Sequence, residues 1–264
     1  MNDCLRVAEK DYIARWMINA KQHFTDGDYG WICDLINKNP MDYSFQRVLE
    51  IGCGAGYSTL AFALKGFDVL SIDVNKEAIK QTKCLVENCA CNPKVLDSQS
   101  YISDEEGILL WEVDLIHEFS KIRNFVSQQR DNPIDLIVLC NPGGQLTTEL
   151  TVQEYKYLRW GGFADDEISE VYQAGNVGLL QKWAMIYAAC GLSQMTGIPI
   201  LIIERGTREE VQRSLQQIQD DTGNQKISEA YRLISRAPKE GIQLSVSNEQ
   251  GEQFWGMALY LPVV

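Results

Sequence analysis

Residues 47–61 read RVLEIGCGAGYSTLA, and this stretch decides the fold. A short apolar run of strand character leads into a turn with glycine at every second position, Gly52, Gly54 and Gly56. An apolar pattern with helical spacing follows the turn at once. Because a strand, a glycine turn and a helix in this order leave backbone amides open at a helix N-terminus, the stretch predicts a nucleotide-type binding turn in an α/β protein.

The spacing of the glycines separates two classes of cofactor. The dinucleotide fingerprint requires G-x-G-x-x-G, whereas this chain has G-x-G-x-G, and Tyr57 stands where the third glycine would be. The spacing therefore disfavours a nicotinamide-dependent oxidoreductase, which is kept as an alternative. Taken singly, each glycine is also compatible with an ordinary tight turn.

The glycine turn and the strand after it resemble motifs I and II of the class I S-adenosylmethionine-dependent methyltransferases. The resemblance rests on V-L-E-I-G-C-G-A-G and on Asp73, the acid that closes the strand V-L-S-I-D-V. It implies an α/β fold with a seven-stranded, mostly parallel, doubly wound sheet of Rossmann-like form that ends in an antiparallel hairpin. It also implies a methyltransferase enzyme with S-adenosyl-L-methionine as the cofactor.

The same resemblance implies which residues bind the cofactor. The glycines admit its methionine part, Glu50 helps to orient that part, and Asp73 takes the ribose, whose diol offers two donors to a carboxylate. A third motif is expected at the acid after a further strand, for which Asp114 is favoured over Asp97 because Leu115 and a helix follow it directly. A helix-capping role is the alternative for Asp114. The implied cofactor-binding residues are Glu50, Gly52, Cys53, Gly54, Gly56, Asp73, Val74, Asp114, Leu115 and Asn141.

The methyl acceptor is expected at the end of another strand, in residues 133–144, which read PIDLIVLCNPGG. The apolar run is typical of a strand buried on both faces of a parallel sheet. Asn141 and Pro142 resemble the first half of the Asn-Pro-Pro-aromatic motif of amino- and amide-methylating members, including the glutamine-N5 protein methyltransferases. The resemblance makes these two residues the catalytic pair, which holds the hydrogens of the acceptor nitrogen.

Gly143 and Gly144 depart from that motif, since they replace a proline and the aromatic residue that stacks on a planar acceptor. A simple strand-ending turn is the alternative for the whole Asn-Pro-Gly-Gly segment. The expected reaction is N-methylation of a small molecule or a protein amide by in-line methyl transfer. Small-molecule O-methylation and a non-catalytic cofactor-binding module are the alternatives.

The expected organisation is a methyltransferase core at 45–264, preceded by N-terminal helices or a lid at 1–44. Residues 145–176 are interpreted as an inserted substrate cap, because the carboxyl edge of an α/β sheet is where ligands bind. In the N-terminal segment Tyr29 and Trp31 are either lid residues or packing residues, and packing is preferred. In the cap, Tyr155, Trp160 and Phe163 either line the acceptor pocket or pack the insertion.

The composition limits which binding partners and which cellular location are expected. Twenty-four basic and 36 acidic residues give a formal charge of −12, which repels phosphate backbones and disfavours nucleic acid as a substrate. No apolar run approaches the length of a membrane span, and the first residues lack the apolar region of a signal peptide, so a cytoplasmic protein without membrane contact is expected. The oligomeric state is left open by the sequence.

The eight cysteines are expected to be reduced thiols. Cys84, Cys89 and Cys91 are closely spaced, but the chain has only two histidines and no second paired-cysteine cluster. No metal site is therefore predicted.

Overall fold

A computed structural model of the chain describes residues 17–38, 44–89, 91–96, 106–129, 131–140, 149–206, 231–242 and 253–262. The chain forms two compact units. The first comprises Met1–Asp114, Asn124–Cys140 and Leu244–Gln250, and the second comprises Leu115–Arg123, Asn141–Gln243 and Gly251–Val264.

The described residues form helices and strands in an alternating order over the first two thirds of the chain. The helices are α1 (helical at 17–25), α2 (Asp28–Asn37), α3 (Tyr57–Leu64), α4 (Lys76–Asn88), α5 (Phe119–Gln128), α6 (Val152–Trp160), α7 (Asp165–Gln173) and α8 (Val177–Thr196). The strands are β1 (Arg47–Ile51), β2 (Asp68–Asp73), β3 (Lys94–Leu96), β4 (Ile108–Glu112), β5 (Leu136–Cys140), β6 (Ile200–Gly206), β7 (Tyr231–Ile242) and β8 (Gln253–Pro262).

The first unit is built on a parallel sheet in the order β3-β4-β2-β1-β5. Strand β1 is buried along its whole length, as expected for a central parallel strand that is covered on both faces. Because the strands are parallel, β1, β2, β4 and β5 all end at one edge of this sheet. That edge carries the glycine turn after β1 and Asp73 at the end of β2.

At the opposite edge of the sheet, where β1 and β5 begin, the carboxylate of Asp135 binds backbone N–H groups. Asp135 accepts hydrogen bonds from the backbone N–H groups of Gln46 (2.7 Å) and Arg47 (3.1 Å), and Arg47 donates from its guanidinium to the carbonyl of Asn132 at 2.5 Å. Burial raises the pKa of Asp135, and the backbone hydrogen bonds oppose that shift. This cluster holds β1 against the segment that leads into β5.

The second unit contains α6, α7, α8 and an antiparallel sheet in the order β6-β8-β7. Helix α6 begins with a capping box, in which Thr151 accepts from the Glu154 backbone and the Glu154 side chain accepts from the Thr151 backbone. Helix α8 is twenty residues long and largely buried.

The predicted α/β class with a parallel sheet is confirmed, and the strand count differs slightly. The described residues contain eight strands where seven were expected, because residues 94–96 and 108–112 both form strands between β2 and α5. Strand β4 pairs with β2, and the three-residue β3 lies outside β4.

The antiparallel ending is also confirmed, since β8 pairs with β7 at Tyr231–Ile242. Strand β7 contains Pro238 and lies at the edge of its sheet, where a missing backbone N–H is tolerated.

Candidate cofactor site

The backbone of the glycine turn is held open beside β2. The N–H of Gly52 donates to the carbonyl of Ile72 at 2.8 Å, so the turn stays joined to the strand that follows. Gly52 and Gly54 have φ of +80° and +53°, and a Cβ built at either would meet no heavy atom of the described residues within 4 Å. These two glycines therefore present bare backbone to open space, which is the property that a ligand lying on the turn requires.

Gly56 has a different role from the first two glycines. Its φ is +82°, and a Cβ built there would lie 2.7 Å from both Cα and Oγ1 of Thr82 on α4. Thr82 also donates to the thiol of the buried Cys53 at 3.5 Å. Gly56 thus permits α3 and α4 to approach each other, and any contact of Gly56 with the cofactor stays a prediction.

Glu50 is the most completely buried acid of the site, with 0% of its surface exposed. Its Oε2 accepts from the hydroxyls of Thr59 (2.5 Å) and Ser71 (2.7 Å), whereas Oε1 has no hydrogen-bond partner among the described residues. Burial raises the pKa of Glu50, and the hydroxyls of Ser58, Thr59 and Ser71 oppose the shift. The free oxygen is a ready acceptor for a donor that enters the site.

Asp73 links the end of β2 to the glycine turn. Its Oδ2 accepts from the N–H of Gly54 at 2.9 Å, and its Oδ1 accepts from the N–H of Asn75 at 2.8 Å. Burial raises the pKa of Asp73 to about 6; the two backbone hydrogen bonds lower it, and the neighbouring Glu50 raises it further. Each carboxylate oxygen keeps a second lone pair, so Asp73 can still accept from a pair of hydroxyl groups.

The third acid of the predicted cofactor site follows β4. The N–H of Val113 donates to the carbonyl of Asp73 at 3.1 Å, which joins the end of β4 to the end of β2. Asp114 comes next and is partly buried. Asp97, the alternative, lies outside the described residues, and it follows β3, which is one strand farther from β2. The strand order thus favours Asp114.

Two other predicted cofactor residues differ in exposure. Val74, directly after Asp73, is 44% exposed, so an apolar ligand surface can reach it, whereas Leu115 is buried. The structure leaves both assignments as predictions.

An aromatic contact that the sequence did not indicate lies beside the glycine turn. Phe24 of α1 packs on the ring of Tyr57, with ring centroids 5.7 Å apart, and also against the apolar cluster that includes Cys53. Tyr29 is buried and meets the ring of His23 edge-on at 6.2 Å, which agrees with packing rather than a lid role. His23 is itself buried, and its Nδ1 lies 2.8 Å from Asp28.

The predicted acceptor residues Asn141 and Pro142 lie outside the described residues. Strand β5, which precedes them, pairs with β1 in parallel register from Val48↔Leu136 to Ile51↔Leu139. The chain therefore leaves β5 at the edge of the sheet where the glycine turn begins.

The second unit carries a surface groove within the predicted cap. Its volume is about 430 Å³, and two of its lining residues are joined by a hydrogen bond of 2.5 Å from the Tyr155 hydroxyl to Asp165. Its lining residues are Leu150, Thr151, Val152, Tyr155, Asp165, Ile168, Ser169 and Tyr172. Phe163 does not line the groove but packs on Trp183 and Tyr187, with ring centroids 6.4 and 6.2 Å away, and Trp160 is 37% exposed.

In the described segments, no group of three or more His, Cys, Asp and Glu side chains is placed to hold a metal ion. Among the helices of those segments, none combines the length and apolar character that crossing a membrane requires.

The glycine turn and its two acids fit a cofactor that has a cationic part and a ribose. Gly52 and Gly54 leave space on the backbone, Glu50 has a buried oxygen without a partner, and Asp73 can accept from a diol.

Comparison with known proteins agrees with this geometry. Residues 9–106, more than a third of the chain, match the family model described as "Tellurite resistance protein TehB", a family of S-adenosylmethionine-dependent methyltransferases. A comparison with curated proteins gives no match. The matched residues include the glycine turn and Asp73, which are the residues that carry the resemblance to class I methyltransferases.

Solved structures with similar folds include three from different organisms. A Thermoplasma acidophilum protein is 12% identical, with a TM-score of 0.48 and coverage of 95% of this chain and 97% of that one. The N-methyltransferase NodS of Bradyrhizobium japonicum, in complex with S-adenosylhomocysteine, is 14% identical, with a TM-score of 0.45 and coverage of 91% and 88%. An S-adenosylmethionine-dependent O-methyltransferase of Thermotoga maritima is 12% identical, with a TM-score of 0.43 and coverage of 88% and 64%.

Proposed function

We propose that this chain, an S-adenosylmethionine-dependent methyltransferase, methylates a nitrogen of a small molecule or of a protein amide. The observation that carries the proposal is the place of Asn141-Pro142 in the chain. The pair directly follows β5, which ends at the same sheet edge as the glycine turn of β1. The amide of an asparagine accepts from an N–H group, and the carbonyl before or after a proline can accept a second one.

When bound, the cofactor supplies an electrophilic methyl group on a sulfonium for an in-line displacement. The residues of the chain then have to align donor and acceptor and exclude water. We assign the methionine part to Gly52, Gly54 and Glu50, the last through its free Oε1. Asp73 is assigned to the ribose hydroxyls.

The adenine is assigned to Asp114, with Val74 and Leu115 as its apolar neighbours. Cys53 and Gly56 support the turn from behind, because Cys53 is buried against Thr82 and Gly56 meets the same residue. Burial raises the pKa of the Cys53 thiol well above its ordinary value, so this thiol stays neutral and acts as a packing group.

On the acceptor side, Asn141 and Pro142 are assigned to the hydrogens of the attacking nitrogen, so that its lone pair faces the methyl group. No strong general base is required for a neutral amine with a free lone pair. The groove between α6 and α7 belongs to the segment assigned to the substrate cap at 145–176. A cytoplasmic location stays a prediction from the sequence.

The test uses transfer of a labelled methyl group from S-adenosylmethionine to panels of amines, amides and hydroxyl compounds. Asn141→Ala should slow transfer about a hundredfold, because a misplaced acceptor loses alignment, while the affinity for S-adenosylhomocysteine stays the same. Asn88→Ala, at the exposed end of α4, is the control and should leave both unchanged. Transfer to hydroxyl compounds alone, or full activity of Asn141→Ala, would contradict the assignment to nitrogen.

A further inference from the structure

Two carboxylates lie at the glycine turn with hydrogen-bond donors but, among the described residues, without a cation. Glu50 is 0% exposed, and its Oε2 accepts from the hydroxyls of Thr59 and Ser71, while Oε1 has no partner within hydrogen-bond distance in the described part of the chain. Asp73 is joined to the same turn through the N–H of Gly54, and its pKa is raised first by burial and further by the charge of Glu50. A buried carboxylate in this setting keeps its proton more readily than one in water.

The charged and titratable groups around Glu50 do not offset the negative charge of its carboxylate. Helix α2 contributes Cys33 and the turn contributes Cys53, and burial raises the pKa of both thiols, so both stay neutral. Helix α3 contributes Ser58 and Thr59, and β2 contributes Ser71. The groups that shift the pKa of Glu50 include no lysine or arginine.

The lysine that acts on Cys33 is already paired with another carboxylate. Lys65 acts on Cys33, but its ammonium lies 2.8 Å from the carboxylate of Asp34. The site therefore holds two acids and, within the described residues, no counter-charge for either. A ligand with a sulfonium and an ammonium group supplies the missing charge.

We propose that binding of S-adenosylmethionine releases one proton from the carboxylate pair formed by Glu50 and Asp73. The inference rests on the proposed placement of the cofactor on the glycine turn. An O–H bond of one carboxyl group breaks, its electron pair stays on the oxygen, and the proton passes to the buffer. No redox partner is involved.

This coupling gives the site a preference between substrate and product. S-adenosylmethionine carries one positive charge more than S-adenosylhomocysteine, so it stabilises the ionised pair more strongly. After methyl transfer the sulfonium charge is gone, and the pair recovers a proton more readily. The affinity for the substrate cofactor should thus rise with pH more steeply than the affinity for the product.

The test is isothermal titration calorimetry at pH 6.5 in phosphate and imidazole buffers, which differ in ionisation enthalpy. At this pH the α-ammonium groups of both ligands stay protonated, since an α-amino group titrates at about 7.7–8.0. The slope of the observed enthalpy against the ionisation enthalpy of the buffer counts the protons released. We expect a slope near one proton for S-adenosylmethionine and a smaller slope for S-adenosylhomocysteine.

Glu50→Gln keeps the shape of the side chain and should lower the slope for S-adenosylmethionine. The matched control is Asp135→Asn, which changes a carboxylate with a raised pKa at the opposite edge of the same sheet and should leave the slope unchanged. As a measurement that needs no variant, the affinity of the wild type for S-adenosylmethionine should rise up to tenfold per pH unit while one proton is released.

The outcomes separate this inference from the proposed placement of the cofactor. Binding of S-adenosylmethionine with a zero slope and no pH dependence between pH 5.5 and 7 would overturn the proton release alone. An unchanged slope in a folded Glu50→Gln would overturn the assignment to this pair. Binding that is indifferent to alanine at Gly54 would overturn the placement, and the inference with it.

Discussion

Replacement of Gly56 by alanine tests the packing of the glycine turn most sharply. The new Cβ would lie 2.7 Å from Cα and Oγ1 of Thr82 and 2.9 Å from its Cβ, so α3 and α4 would have to separate. Overpacking of this kind costs about 1–3 kcal/mol. A left-handed conformation at an L-residue costs about 1–2 kcal/mol more. Gly56→Ala should therefore lower the free energy of unfolding by roughly 2–5 kcal/mol.

Gly66→Ala separates the two contributions. Gly66 has φ of +87°, yet a Cβ there would meet no heavy atom of the described residues within 4 Å. This control should cost only the backbone part, about 1–2 kcal/mol. The assay is urea unfolding of both variants followed by circular dichroism. Equal losses of stability in the two variants would refute the reasoning, because the contact with Thr82 would then cost nothing.

Other predictions concern the acids and the open glycine. Gly54→Ala should lose no more stability than Gly66→Ala. Its affinity for S-adenosylhomocysteine, measured by calorimetry, should fall at least about tenfold, which corresponds to a loss of about 1.4 kcal/mol of binding free energy. Unchanged affinity would contradict a ligand that lies on the bare backbone of Gly54. Because the folded-state pKa of Asp73 is about 6 against an ordinary 3.8, its contribution to stability is present below pH 4 and is lost as the pH rises through 6. Relative to Asp73→Asn, the wild type should thus lose up to about 3 kcal/mol between pH 4 and 7 in urea unfolding, less any screening by solvent; a gain would refute the shift. Lys182→Met removes the ammonium that lies 2.6 Å from the buried Glu204 and should lower the free energy of unfolding by about 3 kcal/mol. Adding Glu204→Gln in a double variant should restore part of this loss. No loss of stability in the single variant would contradict a stabilising ion pair.

The part of the fold that sequence predicts best is the part specified by local signals. The glycine turn, the flanking strands and the Asn75 cap of α4 all follow from turn chemistry and hydrophobic period, and the structure has each of them. Local patterns were weaker for β7, which is a strand because β8 pairs with it. Tertiary pairing decided that segment, and it is not visible in a short window.

The site was predicted in its residue types but not in its contacts. Glu50 and Asp73 were identified through the family resemblance, from their places near the ends of β1 and β2, whereas the hydroxyls on Glu50 come from residues 9 and 21 positions away. Gly56 differs from Gly52 and Gly54 because it packs against Thr82, which belongs to the next helix. Such contacts arise only when helices and strands pack, and no spacing rule in the sequence reports them.

Native mass spectrometry of the full chain with S-adenosylmethionine and with NADH, added separately, tests the cofactor assignment most directly. The geometry of the glycine turn and the carboxylate pair predicts one bound S-adenosylmethionine per chain and no NADH adduct. Binding of NADH in preference to S-adenosylmethionine, or of neither, would contradict the assignment of this chain to the methyltransferases.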